Sequence, residues 1–421
     1  MKLAFGFGNT VQQVELPDSN LLQELHAQVT EAAPDGEKEV RRALAEPIGS
    51  GRLRDIVKPG ETVAVISSDI TRPMPTAKVM PLILEELYAA GIRKEDITLV
   101  FGLGIHREHT TEEKRRLAGE RAWADIRVVD SYPKEVVRLG VTRQGTPVDI
   151  DTRVARADRR VCLGNIEYHY FAGYSGGGKA IMPGVSTGAA IENNHRMMVR
   201  ENARAGQLAG NPIREDIEEA AAMAGIDFIL NVVLDEQKRI ARAVAGDATL
   251  AHRAGCAFLD RMYAIQVNQR ADIVLVSQGG APKDLNLYQT QKALDNARHA
   301  VKDGGVIILI GSCREGYGEA VFERWANEAR SPRDLVERVH RDFQLGGHKA
   351  AAIAMVLERA DVYLVSEMPD ALAENIFLKP FPSAQAALDA AFQKLGPDAT
   401  VISMPHGGST LPRPMDEPSA R

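Results

Sequence analysis

Short apolar runs alternate with longer stretches of helical period along most of the chain. "TVAVISS" (62–68), "ITLVFG" (97–102), "IRVVD" (126–130), "IDFILNVVL" (226–234), "DIVLVS" (272–277), "GVIILIG" (305–311), "DVYLVS" (361–366) and "TVISM" (400–404) have the length and β-branched content of buried strands. The opening "MKLAFGFGNTVQQVELPD" also reads as strand, because glycines and polar residues interrupt its apolar run too soon for a signal peptide. Helical spacing marks "TAKVMPLILEELYAAG" (76–91) and "NPIREDIEEAAAMAG" (211–225), and 246–264 is helix-like. Asn211 as cap, a proline in the first turn and Gly225 at the end bracket the second of these. Strands alternating with helices predict an α/β fold with mainly parallel sheets joined by right-handed crossovers.

At 421 residues the chain exceeds one compact core, so two α/β domains are expected. The polar break "QVNQRAD" ahead of the run at 272–277 sets the boundary. It gives a larger N-terminal domain over 1–267 and a smaller C-terminal one over 268–404. The glycine- and proline-rich end, 405–421, is expected to pack back on the first domain, with its last polar stretch "PRPMDEPSAR" frayed. No internal repeat or low-complexity segment interrupts this plan.

Composition narrows the function classes. With 44% hydrophobic and 26% charged residues the chain has the make-up of a globular protein with a well-buried interior. A net charge of −6 argues against nucleic acid or an anionic membrane as partner. No stretch approaches the ~18 apolar residues of a membrane span. Cys162, Cys256 and Cys313 are widely spaced and form neither a disulfide framework nor a CxxC metal pattern, so a cytoplasmic location is expected.

Candidate chemistry gathers in a few polar segments. "FAGYSGGGKAIMPG" (171–184) matches the front of a phosphate-binding loop. Yet Ala180 stands where such a loop needs Ser or Thr for Mg²⁺, and Pro183-Gly184 cut short the helix that should follow. Its glycines 173, 176, 177 and 178 are expected to let the backbone approach a bulky ligand near Lys179, with His169 and His195 as neighbours in sequence. "SSDITRPMPT" (67–76) follows a strand directly, at the edge where open α/β sheets bind ligands. There Asp69 and Thr71 offer hydrogen bonds and Arg72 a carboxylate grip. "FGLGIHREHTTEEK" (101–114) leaves another strand: His106 is the acid/base candidate, while His109, beside the helix start "TTEEK", is expected at the surface. In "SQGGAPKDLNLYQTQKAL" (277–294), Gln289 and Lys292 share a helix face that could hold a hydroxy-carboxylate. Taken alone, each of these segments fits a cap, a turn or a solvated face better than a ligand site.

In combination they carry more. "DITRP", "GIHR", "HYFAGYSGGGKAIMPG", "NNHRMM" and "YQTQKA" occur in the order found in the nickel-dependent lactate racemase family, which the chain resembles over nearly its whole length. The resemblance implies two α/β domains with an active site between them. It implies a nickel pincer nucleotide, a pyridinium mononucleotide with two thioacid groups, one joined to a lysine. By position, Lys179 is the implied attachment point and His195 the implied nickel ligand, a donor set that suits Ni(II). His106 and His169 are the implied paired acid/base residues, both expected near an ordinary histidine pKa of ~6.5. Asp69, Ile70, Thr71 and Arg72 would line the cofactor. Arg72, Gln289 and Lys292 would bind substrate. The implied activity is racemisation or epimerisation at C2 of lactate or a related 2-hydroxy acid by reversible hydride transfer. Cofactor-making and nickel-inserting enzymes are the implied partners. A nucleotide-phosphate enzyme is disfavoured by Ala180, and a non-catalytic carrier of the nickel nucleotide by the two additional histidines.

Overall fold

The computed structural model describes residues 1–26, 35–132, 134–235 and 237–415. The chain divides into two compact units, Val29–Arg261 and Met1–Gln28 with Met262–Arg421. Both are α/β with largely parallel sheets, as the alternation of runs predicts.

In the Val29–Arg261 unit six strands lie in the order Ile240–Gly246, Phe228–Leu234, Arg159–Ile166, Val63–Ser68, Ile97–Gly102, Arg127–Asp130. All neighbours pair in parallel except the first two, which form an antiparallel edge. Val63, Val65, Leu99, Phe101, Val161, Leu163, Leu230 and Val232 bury one sheet face with Val79, Ile83 and Leu87 of the helix Thr76–Ala89. At about 1.5–3 kcal/mol per fully buried large apolar side chain, this layer is the main stabilising term of the unit. The helix Pro212–Ala224 starts and stops where its sequence says. Asn211 Oδ1 accepts from the Ile213 and Arg214 amides, and Gly225 closes it at φ 72°.

Strand order here places the functional loops. From Val63–Ser68 the chain proceeds to one side, through Ile97–Gly102 and Arg127–Asp130. It then crosses back to lay Arg159–Ile166 on the other side. The C-terminal ends of Val63–Ser68 and Arg159–Ile166 therefore flank a topological switch point, the position at which open parallel sheets form a crevice.

The second unit is built from both ends of the chain. Its sheet runs Lys379–Phe381, Asp361–Val365, Val301–Ile310, Ala271–Ser277, Val401–Met404, Leu21–Glu24, all parallel. The hairpin Lys2–Phe7/Thr10–Glu15 buries Leu3, Phe5 and Val14 in the same core as Leu275 and Ile308. The opening segment thus departs from the expected boundary. Its hairpin packs on, and its strand Leu21–Glu24 pairs with, strands hundreds of residues away, which local pattern does not record. Near the end of the chain Leu411–Pro414 pairs in parallel with Ala264–Val267, the last residues of the expected 1–267, which here belong to this unit. Residues 412–414 are ladder members rather than a frayed tail, and 416–421 lie outside the described residues. The three cysteines are free and buried, and among the described residues no helix is long and apolar enough to cross a membrane.

Candidate active site

Asp69 stands one residue beyond the strand Val63–Ser68, buried, and accepts a hydrogen bond from the Thr71 hydroxyl at 2.9 Å. Its other oxygen lies 2.7 Å from Nδ1 of His106, which follows the neighbouring strand Ile97–Gly102. Burial opposes ionisation of Asp69. The His106 ring, the Thr71 hydroxyl and the Arg72 guanidinium outweigh it and hold the carboxyl below its ordinary value. An ionised Asp69 accepts the Nδ1 proton of neutral His106, which leaves the lone pair on Nε2. The His106 side chain keeps 32% of its surface, so that lone pair is reachable.

His109 departs from expectation. Only 1% of its side chain is exposed, and its Nδ1 lies 2.7 Å from Asp130 at the end of the next strand. The Ile70 amide donates to its Nε2 at 3.0 Å. The helix start falls at Thr110, as the sequence indicates, with a complete capping box to Glu113. The preceding residue turns inward, over the edge of Phe101, because two strand-end loops offer it a donor and an acceptor.

Across the switch point the surroundings change sign. His169 lies on the two-stranded hairpin Tyr168–His169/Gly173–Tyr174, which Asp260 fastens by accepting from the hydroxyls of Tyr168 and Tyr174, each at 2.8 Å. Phe171 packs edge-on against both His169, at 4.5 Å between ring centres, and His195, at 4.8 Å, and so brings the two histidines to one place. The Ala172 amide donates to Nδ1 of His169 at 3.3 Å, which puts the proton of the neutral ring on Nε2. Burial, and then Lys179, Arg72, His195 and Arg214, press its pKa well below the ordinary value. The expectation of two histidines near ~6.5 therefore fails for His169, whose charged form meets cations and little water.

Lys179 sits in the short 3-10 turn Gly177–Ala180, half-buried. Burial, with Arg72 and Arg214 close by, holds its ammonium well below the usual lysine value, which favours the neutral amine. The glycines around it do something other than expected. A Cβ on Gly176, Gly177 or Gly178 would meet Asn231 Oδ1 at 2.7 Å, His252 Cγ at 2.9 Å and Ala221 Cβ at 2.8 Å; one on Gly173 would strike the Gln207 carbonyl. They make room for the protein's own helices and strands rather than for a ligand. Asn231 adds a bond, accepting from the Gly177 amide at 2.7 Å. Arg214, wholly buried, donates to the carbonyls of Ala172 and Tyr174 on either side of Gly173.

His195 ends the helix Gly188–His195, buried, with Nδ1 3.0 Å from Asn194 Oδ1. The Asn194 amide is held in turn by Asp216 Oδ2 at 2.8 Å, so the Nδ1 proton has a fixed acceptor and Nε2 carries the lone pair a metal takes. A group that bonds covalently to a neutral lysine and takes one imidazole nitrogen fits these residues. No cluster of three or more His, Cys, Asp or Glu that could hold a bare ion occurs among the described residues.

Gln289 and Lys292 belong to the other unit, on the helix Leu287–Ala297 capped by Asn286. Gln289 is half-buried and Lys292 exposed, while Thr290, Gln291 and Leu294 face the interior. The residues absent from the sequence reading are Asp130, Asn194, Arg214 and Asp260. Asp130 had a usable signal, an acidic residue closing an apolar run; the other three lie in ordinary helical sequence.

Two family models match the chain: the lactate racemase N-terminal domain over residues 7–206 and the lactate racemase C-terminal domain over residues 266–411. A lactate racemase from Thermoanaerobacterium thermosaccharolyticum is 33% identical over 97% of this chain and 98% of its own length. One from Lactiplantibacillus plantarum is 31% identical over 87% and 89%. The structure of the T. thermosaccharolyticum lactate racemase apoprotein superposes with a TM-score of 0.88 at 31% identity, covering 98% of this chain and all (100%) of that one. A Thermotoga maritima protein at 18% identity shares the fold, with a TM-score of 0.62 and 92% of this chain covered. The chain belongs to the lactate racemase family, a family of isomerases.

Proposed function

We propose that the chain interconverts the two configurations at C2 of lactate or a closely related 2-hydroxy acid, with a nickel pincer nucleotide carried on Lys179 and ligated by His195. The observation that carries this reading is the opposite proton positions of the two rings, His106 with Nδ1 on Asp69 and His169 with Nδ1 on a backbone amide, together with a Lys179 ammonium held well below its usual value. When bound, the nickel nucleotide supplies the centre that accepts hydride from C2 and returns it. The remaining work falls to the chain. His106, with its proton held by Asp69, takes the hydroxyl proton at Nε2. His169 is the proposed partner on the other side, and its Nε2–H donates a hydrogen bond to the oxygen. It delivers a proton only once the ring has been protonated, and it serves as base for the opposite enantiomer when Nε2 is bare. Arg72 holds the substrate carboxylate, and Gln289 and Lys292 are proposed further contacts to carboxylate and hydroxyl. Lys179 needs its neutral amine to form the covalent link, which burial favours. Supply of the cofactor assigns the chain to biosynthetic and nickel-inserting partner enzymes, and the buried free thiols agree with a reducing cytoplasm.

The experiment is a chiral-product assay of cofactor-loaded protein on a panel of 2-hydroxy acids that includes lactate. Racemisation of one member, with the added mass on the Lys179 peptide and none in Lys179→Ala, is the expected result. Loaded protein that leaves every member unchanged would refute the reading.

A further inference from the structure

We infer that His109 and Asp130 are positioning residues of the site: a buried imidazole–carboxylate pair that holds the 69–72 turn by its backbone and thereby sets Asp69 against His106. This rests on the acid/base reading of His106.

The turn is closed by the Arg72 amide donating to the Asp69 carbonyl at 3.1 Å. Its next amide, that of Ile70, points away from the closure and reaches Nε2 of His109 at 3.0 Å. A backbone amide can only donate, so Nε2 must present a lone pair and the ring proton must sit on Nδ1. Nδ1 then donates to Asp130 Oδ1 at 2.7 Å, and Asp130 Oδ2 accepts the His109 backbone amide at 2.8 Å. Both ends of the ring therefore demand the same tautomer. The Asp130 backbone is itself fixed, its carbonyl accepting from Arg153 at 2.7 Å, and Lys114 stands 3.8 Å from its carboxylate.

The three strands involved are neighbours in the sheet, so the relay runs from Arg127–Asp130 across the loop after Ile97–Gly102 to the turn after Val63–Ser68. His106 and His109 leave the same loop. One meets the Asp69 side chain and the other the adjoining amide. The loop and the turn are thus tied at two points about one residue apart. Removing the Ile70 tie frees the turn to swing while leaving its chemistry in place. A displacement of ~1 Å at a catalytic group costs on the order of 10²-fold in rate.

Side-chain length separates positioning from packing. In His109→Gln the terminal carbonyl can occupy the Nε2 position and accept from Ile70. In His109→Asn the amide can occupy the Nδ1 position and reach only Asp130. In the apoprotein, ¹⁵N shifts of the His106 ring should report a single Nδ1–H tautomer in the wild type and in His109→Gln, and a mixed population in His109→Asn. In loaded enzyme of equal covalent occupancy by intact mass, His109→Asn should lower kcat by about 10²-fold with KM within about twofold. His109→Gln should recover most of the loss. A wild-type His106 tautomer and wild-type kcat in folded His109→Asn would overturn the inference. So would equal losses in the Gln and Asn variants, or failure of both to fold, since the pair would then serve packing alone. Failure of the acid/base reading shows separately, as turnover that survives His106→Ala, and leaves the tautomer comparison intact.

Discussion

The two sides of the switch point each carry a proposed acid/base histidine and surround it in opposite ways. On the side of Val63–Ser68 and Ile97–Gly102, carboxylates meet imidazoles twice: Asp69 with His106, and Asp130 with His109. On the side of residues 168–195 the neighbours are aromatic rings and cations. Among the described residues no carboxylate bonds to the His169 ring, which accepts from a backbone amide. The difference decides where each proton rests. Neutral His106 presents a bare Nε2, a hydrogen-bond acceptor, and neutral His169 an N–H there, a hydrogen-bond donor. On the acid/base reading proposed above, charge placement around two identical residue types supplies the asymmetry that one direction of racemisation uses.

Removing either histidine should break this arrangement outright. His106→Ala and His169→Ala should each lower kcat/KM by about 10²–10⁴-fold in loaded protein while nickel content stays at the wild-type level. Metal content and polarimetry on the same samples check this. Turnover retained in either variant would remove that residue from the pair. Asp69→Asn should also lower kcat/KM, by up to about 10⁴-fold, because the amide favours the wrong tautomer of His106. Enantiomers are equal in free energy, so the loss in kcat/KM must be the same from either substrate. An effect below threefold would mean that Asp69 serves only the turn.

The cationic side can be tested without turnover. Arg72→Met in the apoprotein removes one of the charges that disfavour the Lys179 ammonium. The rate of Lys179 acylation near pH 7 should fall, because the ammonium regains stability. Peptide mass analysis after a timed pulse measures it, and an unchanged rate would assign the neutral amine to burial alone. The smallest effect expected is a difference in acid sensitivity. His252, whose Nε2–H donates to the Ser175 carbonyl behind the glycine turn, is held well below the ordinary histidine value, chiefly by burial. Its unfolded form binds a proton first, so the stability it contributes is complete above about pH 6.5 and declines as pH falls below that. Asp69, held below the ordinary carboxylate value, contributes stability that is lost only as pH drops below about 4. Segment-resolved hydrogen exchange should therefore show residues 171–184 opening at higher pH than residues 67–76. Simultaneous opening would contradict the contrast between the sides.

Much of this was legible in the chain. Buried parallel strands are apolar for nearly their whole length, so 63–68, 97–102, 228–234 and 271–277 stand out by composition. The helix 212–224 carries its own start and stop. The polar segments after the strands drew attention because the sheet edge is where ligands bind, and His106, His169 and Lys179 lie on such segments, while His195 closes a helix. What the chain did not disclose depends on partners far apart in sequence. Leu21–Glu24 is a sheet strand only because Val401–Met404 lies beside it. His109 reads as surface until Asp130 and the Ile70 amide are seen on either side of its ring. The glycines before Lys179 suggest space for a ligand until Asn231, His252 and Ala221 are found filling it.

The split of one sheet between the two chain ends also sets an order of events during synthesis. Val29–Arg261 is continuous, and its sheet is complete once Gly246 has emerged. The other unit waits with its opening hairpin, Phe5 and Leu3 uncovered, until Ala271–Ser277 and the strands after it arrive. Domains fold as units while the chain grows at about 5–20 residues per second, so those apolar side chains are exposed for on the order of ten seconds or more. In that interval the first strands are the part of the nascent protein most in need of a chaperone.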